Sequence, residues 1–171
     1  MQLKHSNEGA EPVSLTEVKS YLKVDFTTED TLITSLIKMV RQQIEKFTGL
    51  SLVSKTIEYF DEEIDEEILL PFPEHDEIEE LKLNGSVSTS YIKTGLTQFL
   101  IKPNSTNIMD GAEDYGIYVK YTTTGNCPEG IKLEILRLLA EKYVNRGNTF
   151  EGAIAELSEN SYANLAQYCV Q

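Results

Sequence analysis

Pro12–Leu52, PVSLTEVKSYLKVDFTTEDTLITSLIKMVRQQIEKFTGLSL, decides how the rest of this 171-residue chain is read. Ser14-Leu15-Thr16-Glu17 spells a capping box: the Ser14 hydroxyl can accept from the Glu17 backbone N–H while the Glu17 carboxylate reaches back to the Ser14 N–H. Val13 and Val18 take the two staple positions, so a short helix is expected over about 15–22. Thr27 or Thr28 can cap a second helix over about 29–48, with Glu29 and Asp30 at the positive end of its dipole. In that helix Leu32, Ile33, Leu36, Ile37, Val40, Ile44 and Phe47 share an arc of about 140°, and Lys38, Arg41, Gln42 and Glu45 lie opposite. Gly49 is a natural stop, because glycine tolerates the left-handed conformation past a helix end.

Working outward, residues 1–11 are polar and aperiodic and read as a loose, flexible arm. From Leu52 the apolar period changes to two, and a β insertion is expected over about 52–123. Within it, Asn84-Gly85 after Leu81-Lys82-Leu83 is a hairpin signal, and the prolines of Ile68–Pro73 limit that segment to an edge strand or a loop. Pro128 suits the first turn of a helix running to about 145. This helix carries two apolar stripes, Ile131, Ile135, Leu138 and Leu139 on one face and Leu133, Leu136, Ala140 and Val144 on the other. A surface helix needs only one stripe. Either the C-terminal helical segment, about 150–168, covers the second or a neighbouring subunit does, and the second option makes Leu133, Leu136, Ala140 and Val144 subunit-interface candidates. The expected fold is therefore mainly α with a small antiparallel β insertion (α+β): a bundle of four to five helices forming a single domain over 12–171.

Composition agrees with a soluble globular chain: 40% hydrophobic and 25% charged residues. No apolar run resembles a signal peptide, and none approaches the ~20 residues that would cross a bilayer, so no membrane association is expected. Cys127 and Cys169 read as free thiols. The net charge of −13 is local: twelve of the 28 acidic residues lie between Glu58 and Glu80, where there is no Lys or Arg, and the remainder is nearly neutral. Without a cluster of basic residues, binding to DNA through phosphate neutralisation is disfavoured.

No site of chemistry is supported by the sequence. Neither phosphate-cradling glycine motif is present, the lone His5 and His75 lack metal-ligand spacing, and Asp61–Glu67 lacks the EF-hand order. Cys127 precedes a helix N-terminus, which can lower a thiol pKa, but no nucleophile signature accompanies it. No catalytic, metal or cofactor residue is assigned, and the chain is expected not to be an enzyme.

Pro12–Leu52 and a second stretch, YVKYTTTGNCPEGIKLEILRLLAEKYVNRG (Tyr118–Gly147), together resemble the head-tail connector proteins of long-tailed bacteriophages. The order that carries the resemblance is short helix, acidic turn and long helix ending in Glu45-Lys46-Phe47-Thr48-Gly49, then a strand, Thr124-Gly125 and a Pro-started helix ending in Tyr143, Asn145 and Arg146. The resemblance implies a structural virion protein at the head-tail junction, in the host cytoplasm during assembly, forming a ring of copies of itself under the portal protein. Such a ring lengthens the DNA channel and receives a tail-completion or stopper protein, with DNA passing through without sequence-specific binding. It also implies contact with the portal through the C-terminal segment, here Tyr162, Leu165 and Tyr168, although AELSENSYANLAQYCVQ lacks the basic residue of the family's C-terminus. In such a ring the carboxylates of Glu62, Glu63, Asp65, Glu66 and Glu67 would face the channel and repel phosphate, or else belong to a solvated loop. The alternative is a small acidic inhibitor or DNA mimic occupying a basic groove on a partner.

Overall fold

The computed structural model describes residues 1–63, 67–72, 75–89, 91–94, 100–103, 116–145 and 153–170. The chain divides into two compact units, a helical one of Glu11–Leu52 with Cys127–Gln171 and a β one of Met1–Ala10 with Val53–Asn126.

In the helical unit the capping box is formed: the Ser14 hydroxyl accepts from Glu17 N at 3.2 Å and Ser14 N donates to the Glu17 carboxylate at 2.7 Å. These bonds hold the Glu17 carboxyl below its usual range and start α1, Leu15–Leu22. The second helix, α2, runs Asp30–Thr48 from Glu29, which makes no side-chain cap bond, so neither Thr27 nor Thr28 is the cap. It ends at Gly49, whose φ of 77° requires glycine's freedom. Two further helices follow, α3 (Glu129–Val144) and α4 (Ala153–Leu165), the latter closed by a 3₁₀ turn, Ala166–Tyr168. Their shared core comprises Val13, Val18, Ile33, Ile37, Val40, Ile44, Leu52, Ile131, Ile135, Leu138, Leu139 and Leu165.

The face that α2 buries differs from the apolar arc of its sequence. Arg41, Glu45 and Thr48 are buried together with Ile33, Ile37, Val40 and Ile44. At 100° per residue, this buried arc is turned about 70° from the apolar one, and Leu32 and Phe47 lie exposed. The cause is an ion-pair network. The fully buried Arg41 donates from Nε to Glu11 at 2.8 Å and from Nη1 to Glu45 at 2.7 Å, and the second Glu45 oxygen accepts from Leu52 N at 2.8 Å.

The β unit overturns the expectation of a mainly α chain with a small insertion. Its strands are β1 (Gln2–Ser6), β2 (Lys55–Asp61), β3 (Ile68–Leu69), β4 (His75–Leu83), β5 (Ser86–Val87), β6 (Tyr91–Thr94), β7 (Leu100–Pro103) and β8 (Ile117–Thr123). They form a five-stranded antiparallel sheet ordered β1-β2-β8-β4-β5 and a three-stranded one ordered β3-β7-β6. The fold is α+β, with the buried apolar residues in two clusters rather than in one bundle core. Central β8 alternates strictly, burying Ile117, Val119, Tyr121 and Thr123, and Ile57, Tyr59, Leu81, Ile68 and Ile101 pack in the same cluster. Tyr121 donates its hydroxyl to Pro71 O at 2.6 Å.

Two strands were hidden by their composition. The residues expected as a loose arm form β1, paired to β2 in the register Lys4↔Glu58. The acidic Asp76, Glu77, Glu79 and Glu80 lie in β4, where register shifts between His75 and Ile78 and between Ile78 and Glu80 break the period-two pattern.

Removing one partner of a buried, hydrogen-bonded ion pair strands the other charge. Arg41→Ala should therefore cost about 3–5 kcal/mol in chemical denaturation, whereas an exposed α2 substitution such as Gln42→Ala should stay within about 0.5 kcal/mol.

Candidate assembly surfaces

Pro128 has no N–H to leave unbonded, and its carbonyl accepts from Ile131 N and Lys132 N, so α3 starts there. The helix then places its two apolar stripes differently. Ile131, Ile135, Leu138 and Leu139 enter the helical core, with Glu134 buried beside them. On the second stripe Leu133 is 42% and Val144 75% exposed. Ala140 is half-buried, and Leu136, also half-buried, packs against the core. Of the four residues singled out as an interface, Leu133 and Val144 are open and Leu136 belongs in part to the chain's own packing.

Ala140 and Val144 line a groove of about 610 Å³ walled by α1, α3 and α4, with Tyr21, Arg137, Asn160 and Asn164 among its other lining residues. Two of those residues are fixed from beneath. One oxygen of buried Glu134 accepts both from Arg137 Nη1 at 2.7 Å and from Asn164 Nδ2 at 3.0 Å, and its other oxygen is buried without a hydrogen-bond partner.

The C-terminal residues expected to dock a portal are engaged with their own unit. Leu165 is fully buried in the helical core. Tyr162 rests on Phe47 with ring centroids 4.9 Å apart, and Tyr168 covers Gly130 so closely that a Cβ there would meet its hydroxyl. Beyond them, Val170 N donates to Thr48 O at 2.9 Å.

The acidic run is not one surface. Glu62 and Glu63 at the end of β2 and Glu67 before β3 are exposed, whereas Asp65 and Glu66 lie outside the described residues. The flanking carboxylates meet lysines of the sheet: Glu58 meets Lys4 of β1 at 3.3 Å, Glu79 meets Lys120 of β8 at 2.5 Å and Glu80 meets Lys82 of its own strand at 3.0 Å. Sequence reasoning missed these pairs because the lysines lie outside the run or after its end. The strand register is the signal that locates two of them, setting Lys4 directly opposite Glu58 and Lys120 beside β4.

Among the described residues no group of three His, Cys, Asp or Glu side chains could hold a metal ion, and no helix is long and apolar enough to cross a membrane. Cys127 and Cys169 are free and half-buried. Burial pushes the Cys127 thiol up to about 11, outweighing any help from the helix N-terminus beside it.

Residues 12–84 match the family model described as phage gp6-like head-tail connector protein. Over these residues the chain is similar to that head-tail connector family. The connector match takes in α1, α2 and the strands through β4, so it includes Pro12–Leu52 and extends into the β unit, and it stops short of Tyr118–Gly147. Solved structures share the fold over the whole chain. A chain from the virion of a native gene transfer agent particle aligns with a TM-score of 0.77 at 13% identity, covering 100% of this chain and 96% of that one. A chain from the neck of the empty gene transfer agent particle, computed with C6 symmetry, gives 0.71 at 15% identity, covering 100% and 97%. A chain from the neck of the native particle, computed with C12 symmetry, gives 0.72 at 13%, covering 100% and 96%. None of the curated proteins matches. The connector family is structural, and no comparison supports an inhibitor or DNA mimic.

The raised thiol sets a chemical expectation. In a Cys169→Ser variant, alkylation of Cys127 should stay slow at about pH 8.5, where an ordinary free thiol is half ionised, and should accelerate only as pH approaches about 11. Stopped samples read by mass spectrometry give the rate at each pH.

Proposed function

We propose that this chain is a structural connector subunit of a tailed phage or phage-like particle, placed in the virion at the head-tail junction. The match of residues 12–84 to the head-tail connector family carries this reading, and the likeness of the whole fold to gene transfer agent neck chains supports it. The neck structures were computed with C6 and C12 symmetry, which closed rings of identical subunits satisfy. On this reading copies of the chain form a ring under a portal protein, lengthen the DNA channel and receive a tail-completion or stopper protein. The role asks for folding and contact rather than bond chemistry.

Glu62, Glu63 and Glu67 suit such a channel. Carboxylates lining a lumen repel phosphate at short range and let DNA slide, while salt screens them beyond about 8 Å. The segment then acts by charge, with no sequence-specific contact to DNA.

Two experiments test this. Deleting the gene from a particle-producing strain should leave DNA-filled heads and finished tails unjoined in electron micrographs, and normally joined particles would refute the connector reading. For the channel, the triple variant Glu62→Lys, Glu63→Lys, Glu67→Lys should fold normally, since exposed substitutions cost about 0.5 kcal/mol or less each. It should gain salt-sensitive affinity for duplex DNA and slow genome ejection. Unchanged ejection in correctly joined particles would place these carboxylates outside the channel.

A further inference from the structure

In a chain of net charge −13, the longest helix exposes no carboxylate. The two acids of α2 are both engaged: Asp30 is half-buried against Lys19 at 2.6 Å and Glu45 is buried against Arg41. Its outer face instead shows Lys38 and Lys46, with Leu32 39% and Met39 43% exposed. Leu32 and Met39 are seven residues apart, two turns of helix, and so form one apolar ridge about 10 Å long.

The α1–α3–α4 groove has the opposite character. Its lining carries the apolar Ala140 and Val144, and Glu134 holds two further lining residues, Arg137 and Asn164, in place. The positive charge of Arg137 is turned onto Glu134, and Glu159, next to the lining residue Asn160, is exposed. Ridge and groove are different patches of the same chain, complementary in shape class and in charge, which is what a head-to-tail contact between identical copies requires.

We propose that a second copy of this chain occupies the groove, seating its α2 ridge of Leu32 and Met39 against Ala140 and Val144, with Lys46 toward Glu159 beside the groove. This contact rests on the ring reading above and specifies which two faces meet. Repeated from copy to copy it propagates in one direction around an axis and closes when the rotation does.

The test uses the full chain with Cys127→Ala and Cys169→Ser, carrying Met39→Cys and Val144→Cys together or singly. Each preparation is imaged by negative stain for rings and treated with a short bismaleimide. The expected result is rings that convert to a covalent ladder reaching the full ring only when both new thiols are present. Either single variant should give no cross-linked species, because a head-to-tail contact brings one Met39 to one Val144 and never like to like. Covalent dimers from Val144→Cys alone would show that two grooves pair with each other and would overturn the proposal. Rings that form without any ladder would overturn this contact and leave the ring reading standing, assigning the groove to another occupant such as a portal segment. A chain that stays monomeric at every concentration would remove the ring reading and this contact with it. A control for folding is thermal unfolding of Val144→Glu and Met39→Glu, whose side chains are exposed: both should melt like the parent and fail to form rings. When the two are mixed, one intact ridge meets one intact groove, and sedimentation should show heterodimers and nothing larger.

Discussion

The helical unit is organised around one buried cation. Arg41 sits on α2 with its guanidinium shared between Glu11, which precedes α1, and Glu45, one turn further along its own helix. Glu45 then uses its other oxygen to hold the Leu52 amide beyond the helix end. The network thereby joins both limits of the Glu11–Leu52 segment to the middle of its longest helix. Burying such charges is costly, and apolar side chains of equal volume could often supply as much stability. What an apolar substitute would lack is direction: a planar fork with two carboxylate partners accepts α2 in one rotation about its axis. That rotation sends Ile33, Ile37, Val40 and Ile44 inward and leaves Leu32 and Met39 outside.

The β unit meets a different constraint. Much of the acidic run is built into or beside a sheet, where like charges on adjacent strands would repel. The register resolves this by bringing Lys4 and Lys120 to Glu58 and Glu79, and Lys82 meets Glu80 along their own strand. Such exposed pairs add little stability singly, but they remove repulsion from the strands. Beneath them, the alternation of β8 supplies the burial that fixes that register, since a slip of one residue would turn Ile117, Val119 and Tyr121 outward.

How much of this could be read beforehand follows from the range of each interaction. Caps and turns act within four residues, so the Ser14–Glu17 box, the Gly49 stop, the Asn84-Gly85 hairpin and the Pro128 start were all legible. The rotation of α2 was not, because the partner that draws Arg41 inward is Glu11, thirty residues away. Nor was β1, a polar strand that exists only through its pairing with β2. The double apolar character of α3 was visible in its spacing. The sequence could not say that Leu136 would pack inward while Val144 stays open, since that depends on where α1 and α4 lie against the helix.

These observations link the stability of the chain to its surfaces. A lone soluble subunit would gain by replacing Val144, Leu133, Leu32 and Met39 with polar residues, because exposed apolar contacts do nothing for an isolated fold and invite association. Here the same ion pair that stabilises the interior turns Leu32 and Met39 outward, and the same buried Glu134 that leaves one oxygen unsatisfied holds two walls of the groove. Both arrangements cost the monomer something that a purely apolar interior would avoid. The head-to-tail contact proposed above accounts for each, because it uses the outward faces that these arrangements create.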